Sequence, residues 1–203
     1  MPIAGMKPMF LPGVEENPQP SPYRELIRNA QDSGREYSQI WHLFAFDPDA
    51  NTHLARFTQA VMRDPSPLSP ALRELIAAYV SSLNKCDFCM KSHAAVAAEL
   101  LGGDQIVKHV LHDVESSPIE EKEKVLLRFV KKITIHLPDI RQDDVERVRD
   151  SGWTDAAIYY AITTCALFNF YNRWVSATGV HAVSDESHRS RAKLVAREGY
   201  VRK

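Results

Sequence analysis

Four side chains in the stretch Glu74 to His93, which reads ELIAAYVSSLNKCDFCMKSH, have types and spacing that could do chemistry: Glu74, Cys86, Cys89 and His93. The steps between them are twelve, three and four residues. On a helix, steps of three and four return to the same face, so Cys86, Cys89 and His93 would project into one small volume. Thiols at i and i+3 can close a disulfide only where a helix is beginning, because their α-carbons must come within roughly 7 Å. Asn84 is expected to take the left-handed conformation and break the chain between two helices. Cys86 then falls in the first turn of the second helix, where unpaired N–H groups and the macrodipole favour a thiolate. His93 lies one turn beyond Cys89, and Glu74 behind it could orient the imidazole and hold its charge. Two other readings stay open: a pair of structural thiols, or zinc held by Cys86, Cys89, His93 and a carboxylate. Ligands crowded into two helical turns converge poorly on a tetrahedron, so the expectation is no metal.

The elements that position these residues are helices. Ser69-Pro70 reads as an N-cap followed by a first helical residue whose missing N–H is harmless, and Glu74 lies just inside that helix. Gly102-Gly103 stops the cysteine helix and Asp104 offers a fresh cap. Upstream, Tyr23 to Asp32 and Asn51 to Arg63 carry apolar residues at helical spacing, and Tyr37 to Phe46 is strongly aromatic. Downstream, Ser117-Pro118-Ile119-Glu120 reads as a capping box for a long amphipathic run to about His136. Asp143 to Asp150 is a short helix closed by Gly152. Thr154 caps a final long apolar helix through Ile158, Ala161, Cys165, Phe168 and Trp174. No stretch sustains the alternation of a half-buried strand, so the fold class is all-α.

At 203 residues, 44% hydrophobic and 25% charged, the chain has room for a full core in a single domain. Its formal net charge of -1 gives no reason to expect nucleic acid or an anionic membrane as partner. The proline-rich leader, residues 1–22, lacks the pattern of a signal peptide and is expected to be an extended arm, either disordered or wrapped on a neighbouring subunit. No apolar run is long enough to span a bilayer, and the expected location is the cytoplasm. Three cysteines, two of them in one C-x-x-C, do not make a secreted disulfide framework; in a reducing compartment that spacing reads as redox or metal chemistry. Cys165, set among apolar residues, reads as a small buried hydrophobe. The basic run from His188 to Lys203 reads as a solvated helix or a subunit contact.

The pattern E-x11-C-x2-C-x3-H in these surroundings resembles the alkylhydroperoxidase D (AhpD) core of the carboxymuconolactone decarboxylase-like superfamily, and the layout is similar to its peroxidase-related branch. Asn172-Arg173 and Gly179 resemble the positions that follow the core there, and the likeness runs over roughly residues 23 to 185. The resemblance implies an AhpD-like helical bundle over residues 23–203, with the C-x-x-C core at 69–101. It implies a thiol-dependent alkylhydroperoxidase, a peroxiredoxin-type antioxidant activity, in which Cys89 attacks the peroxide, Cys86 resolves the sulfenic acid, and His93 and Glu74 relay protons. No cofactor is expected beyond an external thiol or dithiol reductant, which could be a redox protein. A homo-oligomer, trimer or hexamer, is expected. The alternatives are a redox sensor without turnover and a decarboxylase-like relative, although the decarboxylase branch lacks the C-x-x-C. In alkylhydroperoxidase D itself a histidine stands immediately before the second cysteine. Here that position is Phe88, whose ring is expected to line the substrate entrance and favour organic hydroperoxides.

Overall fold

The computed structural model describes residues 6–202, and among them there are eleven α-helices and no strand. The centre is a helical hairpin, α5 (Pro70–Leu83) and α6 (Asp87–Leu101). Ser69 Oγ accepts the Leu72 N–H at the start of α5, with Pro70 in the first turn, so this boundary lies where the side chains dictate. Every residue of α5 from Leu72 to Ser81 is buried, which makes it the axis on which the other elements pack. The helix α10 (Asp155–Thr178) lies against α5, α6 and α8 (Glu121–Ile135), while α11 (Asp185–Glu198) covers α6. Shorter elements complete the bundle: α2 (Pro22–Asp32), α3 (Ile40–Phe46), α4 (Pro48–Arg63), α7 (Gln105–His112) and α9 (Gln142–Asp150).

The hairpin turn is tighter than the sequence suggests. Cys86 N–H donates to Ser81 O at 2.9 Å and Lys85 N–H to Ser82 O at 3.0 Å, the paired bonds of a Schellman ending. The left-handed residue is Lys85, at φ 55°, not Asn84, which keeps a right-handed φ of -82°. The reason is that the Asn84 side chain is committed elsewhere in the fold, where its Nδ2 donates to Asn172 Oδ1 at 2.9 Å and to Asn169 Oδ1 at 3.0 Å. Cys86 is therefore the N-cap of α6, and Cys89 sits in its first turn.

Three other expectations are corrected. The capping box of α8 is formed by Glu120 and Glu123, because Ser117 bonds back to Val114 O instead. The basic run is not a solvated helix: it forms most of α11, which packs on α6 with His188, Ala192 and Val195 buried. The described part of the leader is not a free extended arm. It carries α1 (Pro12–Glu16), buries Met9 in the main core, and bonds Phe10 N–H to Thr178 O at 3.0 Å. Gly179 ends α10 at φ 77°, and a Cβ there would stand 2.5 Å from Phe10, so the leader's docking depends on that glycine.

Candidate active site

The hairpin turn places two sulfurs side by side at the start of α6. Cys86 is the N-cap of α6 and makes no side-chain capping bond, but the neighbouring Cys89 thiol and N–H and the Ser176 hydroxyl favour its charged form. The Cys89 thiol contributes most; together these groups outweigh burial and lower the Cys86 thiol to about 6. Cys89 is pushed the other way, first because its proton is the one given to Cys86 and then by burial. The pair therefore takes its first negative charge on Cys86, with Cys89 as donor. All three cysteines are free thiols, and Cys165 is buried elsewhere, between α10 and α8, beside Thr134.

His93 and Glu74 meet as the spacing suggests. His93 Nδ1 lies 2.7 Å from Glu74 Oε2, and the His93 ring stands edge-on to Phe168 at 4.3 Å, which fixes its plane. With Nδ1 engaged by the carboxylate, Nε2 is the nitrogen left to exchange protons with a reacting group.

Two further members of the cluster carry no signal in the sequence. Arg63 Nη2 donates to Glu74 Oε1 at 2.6 Å, and Tyr200 Oη donates to the same oxygen at 2.6 Å. Tyr200 Oη also lies 3.3 Å from His93 Nδ1, and the Arg63 guanidinium stacks 5.0 Å from the centre of the Tyr200 ring. Burial alone would raise the Glu74 carboxyl, but His93, Arg63 and Tyr200 together hold it below the usual glutamate range. Glu74 is completely buried and its ionised form is accounted for at both oxygens. Arg63 ends α4, and Tyr200 follows Gly199 after α11, so only the folded chain brings them to α5.

The two sulfurs open on different cavities. Cys89 and His93 line a cavity of about 110 Å³ walled by aromatic side chains, among them Trp41, Phe44, Phe168 and Tyr171. Cys86 lines a wider one of about 450 Å³ with Lys85, Asp87, Glu36, Ser176 and His181. Phe88 lines both, so its ring forms part of the wall between them. Asn172 stands behind the pair. Its Nδ2 donates to Ser81 Oγ at 2.9 Å and its Oδ1 accepts from Asn84 Nδ2; its amide also slightly offsets the upward push on the Cys89 thiol. Among the described residues no cluster of three or more His, Cys, Asp or Glu side chains is arranged to hold a metal ion, and no helix is long and apolar enough to cross a membrane.

The sequence model of the Carboxymuconolactone decarboxylase family matches residues 48–131, the segment that contains Glu74, both cysteines of the pair and His93. The chain is 25% identical over 130 residues to the uncharacterized protein YnjA of Escherichia coli (strain K12), a match that covers 64% of this chain and 70% of YnjA. Its fold is similar to that of an uncharacterized peroxidase-related protein from Silicibacter sp. TM1040, at 27% identity and a TM-score of 0.73, covering 84% of this chain and 90% of that one. A second structure, the alkylhydroperoxidase AhpD core of an uncharacterized peroxidase-related protein from Ralstonia eutropha JMP134, has a TM-score of 0.73 at 21% identity, covering 93% and 98% of the two chains. The debrominase Bmp8, solved with 2,3,4-tribromopyrrole, shares the fold at 14% identity and a TM-score of 0.67, over 90% of this chain and 92% of that one. The family match across the cysteine hairpin and the fold that surrounds it support an AhpD-like, carboxymuconolactone decarboxylase-like assignment.

Proposed function

We propose that the protein is a thiol-dependent peroxidase that reduces organic hydroperoxides through a Cys86–Cys89 redox cycle. The observation that carries the reading is that Cys89 and His93 line one aromatic cavity while Cys86, the thiol that ionises first, lines another on the far side of Phe88. One proton is shared across the sulfur pair, and its shift from Cys89 to Cys86 delivers the thiolate to the sulfur that faces the cavity. That thiolate attacks the terminal oxygen of ROOH; the O–O bond breaks, ROH leaves with a proton donated by His93 Nε2, and Cys89 becomes a sulfenic acid. Cys86 then attacks the Cys89 sulfur, releasing water and closing the disulfide. Two electrons from a dithiol reductant, either small or carried by a redox protein, reopen it, and the wider cavity gives that reductant access to Cys86.

Glu74, Arg63 and Tyr200 act through His93. The carboxylate orients the ring and stabilises the imidazolium whose Nε2 proton goes to the leaving alkoxide, as a buried carboxylate does for a catalytic histidine elsewhere. No cofactor or metal is needed for these steps.

The test is a free-thiol count before and after addition of cumene hydroperoxide, followed by turnover with excess dithiothreitol. Two thiols lost and repeated turnover support the peroxidase. Two thiols lost without turnover mark a redox sensor, and no loss removes the redox reading altogether. Role assignment follows from dimedone trapping: Cys86→Ser should leave a trappable sulfenic acid on Cys89, and Cys89→Ser should leave none on Cys86. A sulfenic acid found on Cys86 in the wild type would reverse the roles.

A further inference from the structure

The aromatic cavity beside Cys89 holds an unbalanced positive charge. Arg191 lines it, with its guanidinium 4.5 Å from the centre of the Trp41 ring, and Arg202 lines it too. Among the described residues Arg191 has no carboxylate partner and no hydrogen bond, and Arg202 donates only to the carbonyls of Gly199 and Val201. No aspartate or glutamate among the described residues lines the cavity. A second observation points the same way. His188 is 5% exposed and lines the same cavity; its Nδ1 is within reach of Ser92 Oγ at 3.2 Å, while its Nε2 has no partner among the described residues. Partly buried guanidinium groups without a counter-ion are costly, and a buried ring nitrogen without a partner adds to the cost. The two arginines also oppose one another: Arg191 is lowered to about 10, by burial first and then by Arg202. An anion in the cavity would relieve all of these strains at once.

We infer that the cavity binds a compact organic carboxylate, with its carboxylate on the Arg191 and Arg202 guanidinium groups and its apolar body against the aromatic wall. Planar guanidinium donors match a carboxylate in a way that a lysine would not, and Trp41 holds the Arg191 plane fixed from one side. The cavity, about 110 Å³ and partly open, is smaller than the dry cavity of about 150 Å³ that accepts benzene, so the ligand's body is at most one aromatic ring and part of the ligand stays at the open side. On the peroxidase reading, on which this part of the inference rests, the preferred substrate is a carboxylate-bearing organic hydroperoxide with its O–O bond at Cys89.

The anion site is tested without turnover by calorimetric binding of 4-isopropylbenzoate and of its neutral counterpart 4-isopropylbenzyl alcohol. The expected result for the wild type is a preference for the carboxylate of about tenfold or more, the scale of one hydrogen bond to a charged group. That preference should vanish in Arg191→Met and survive in part in Arg191→Lys. Equal affinity for the two ligands in the wild type overturns the inference, as does a preference that persists in both Arg191→Met and Arg202→Met. The wild-type comparison needs no variant and so does not depend on how Arg191→Met folds. The substrate class is tested with 4-carboxycumene hydroperoxide against cumene hydroperoxide. Faster Cys89 oxidation by the carboxylated compound supports it, and equal rates overturn it while leaving the peroxidase intact. Oxidation by neither, with the binding preference present, removes the peroxidase reading and leaves the carboxylate site standing.

Discussion

Removal of the Glu74 carboxylate tests the buried cluster most directly. Glu74→Ala deletes the acceptor of three donors at once: Arg63 Nη2, Tyr200 Oη and His93 Nδ1. Arg63 already has an unpartnered Nε, and with Glu74 gone its remaining bonds are to the carbonyls of Met62 and Val195. Stripping one partner from a buried ion pair costs about 3–5 kcal/mol. In a domain of this size each kcal/mol moves Tm by about 2–4 °C, so the melting temperature should fall by about 6–20 °C. Glu74→Gln keeps the volume and one oxygen for Arg63 and Tyr200, so its loss should be nearer about 1.5–3 kcal/mol. Its neutral amide, however, no longer offers His93 Nδ1 the negative charge that supports the ring while Nε2 gives its proton to the leaving alkoxide. Peroxide reactivity should therefore fall by about ten- to a thousand-fold in Glu74→Gln even where the fold survives. The apolar double variant Arg63→Leu/Glu74→Leu should recover stability relative to Glu74→Ala, because no charge is left behind. Urea unfolding of the four proteins, with pseudo-first-order oxidation of Cys89 alongside, gives both readouts. A loss below about 1 kcal/mol in Glu74→Ala, or a double variant no more stable than Glu74→Ala, would refute the claim that this cluster is a coupled buried unit.

The remaining predictions follow from single features. Glu74 is held below its unfolded value, so its contribution to stability should be complete above about pH 4.3 and be lost as the pH falls through the lower folded value; urea midpoints across pH 3 to 6 should show this in the wild type and not in Glu74→Gln. The ultraviolet absorbance of the thiolate should titrate at about pH 6, disappear in Cys86→Ser, and move upward in Cys89→Ala, which removes the thiol donor. Lys85 is a side-chain-bearing residue held at φ 55°, and its N–H bonds Ser82 O. Lys85→Gly should therefore raise stability by about 1 kcal/mol, and Lys85→Pro should lower it by breaking that bond; a stabilising proline would contradict the turn geometry. Tyr159, Ile162 and Phe170 stand exposed along α10, as does Phe57 on α4, and a homo-oligomer, trimer or hexamer, is the expected occupant of that face. Light scattering should give a multiple of the 23.0 kDa chain that falls on Tyr159→Glu, and a monomer at micromolar concentration would end the expectation.

Much of this protein is written locally. Ser69 and Pro70 start α5, Gly102 stops α6 and Thr154 starts α10, because each supplies a cap or a backbone conformation that its immediate neighbours need. The steps from Cys86 to Cys89 to His93 are likewise a local matter of helical period, and so is the favoured thiolate at the start of α6. Locality also explains where such a reading fails. Asn84 has the side chain for a left-handed turn, yet its bonds to Asn169 and Asn172 hold it right-handed and pass the strain to Lys85. Ser117 and Glu120 compete for one cap, and the serine is drawn back to Val114. The tertiary structure alone decided what surrounds the pair. Arg63 and Tyr200 reach Glu74 from 11 and 126 residues away, and Arg191 enters the cavity from a helix whose basic composition reads as solvated surface. No periodicity or motif encodes such contacts, because a buried charge chooses partners by what the packed helices bring within hydrogen-bond reach, and that depends on the whole arrangement of the chain.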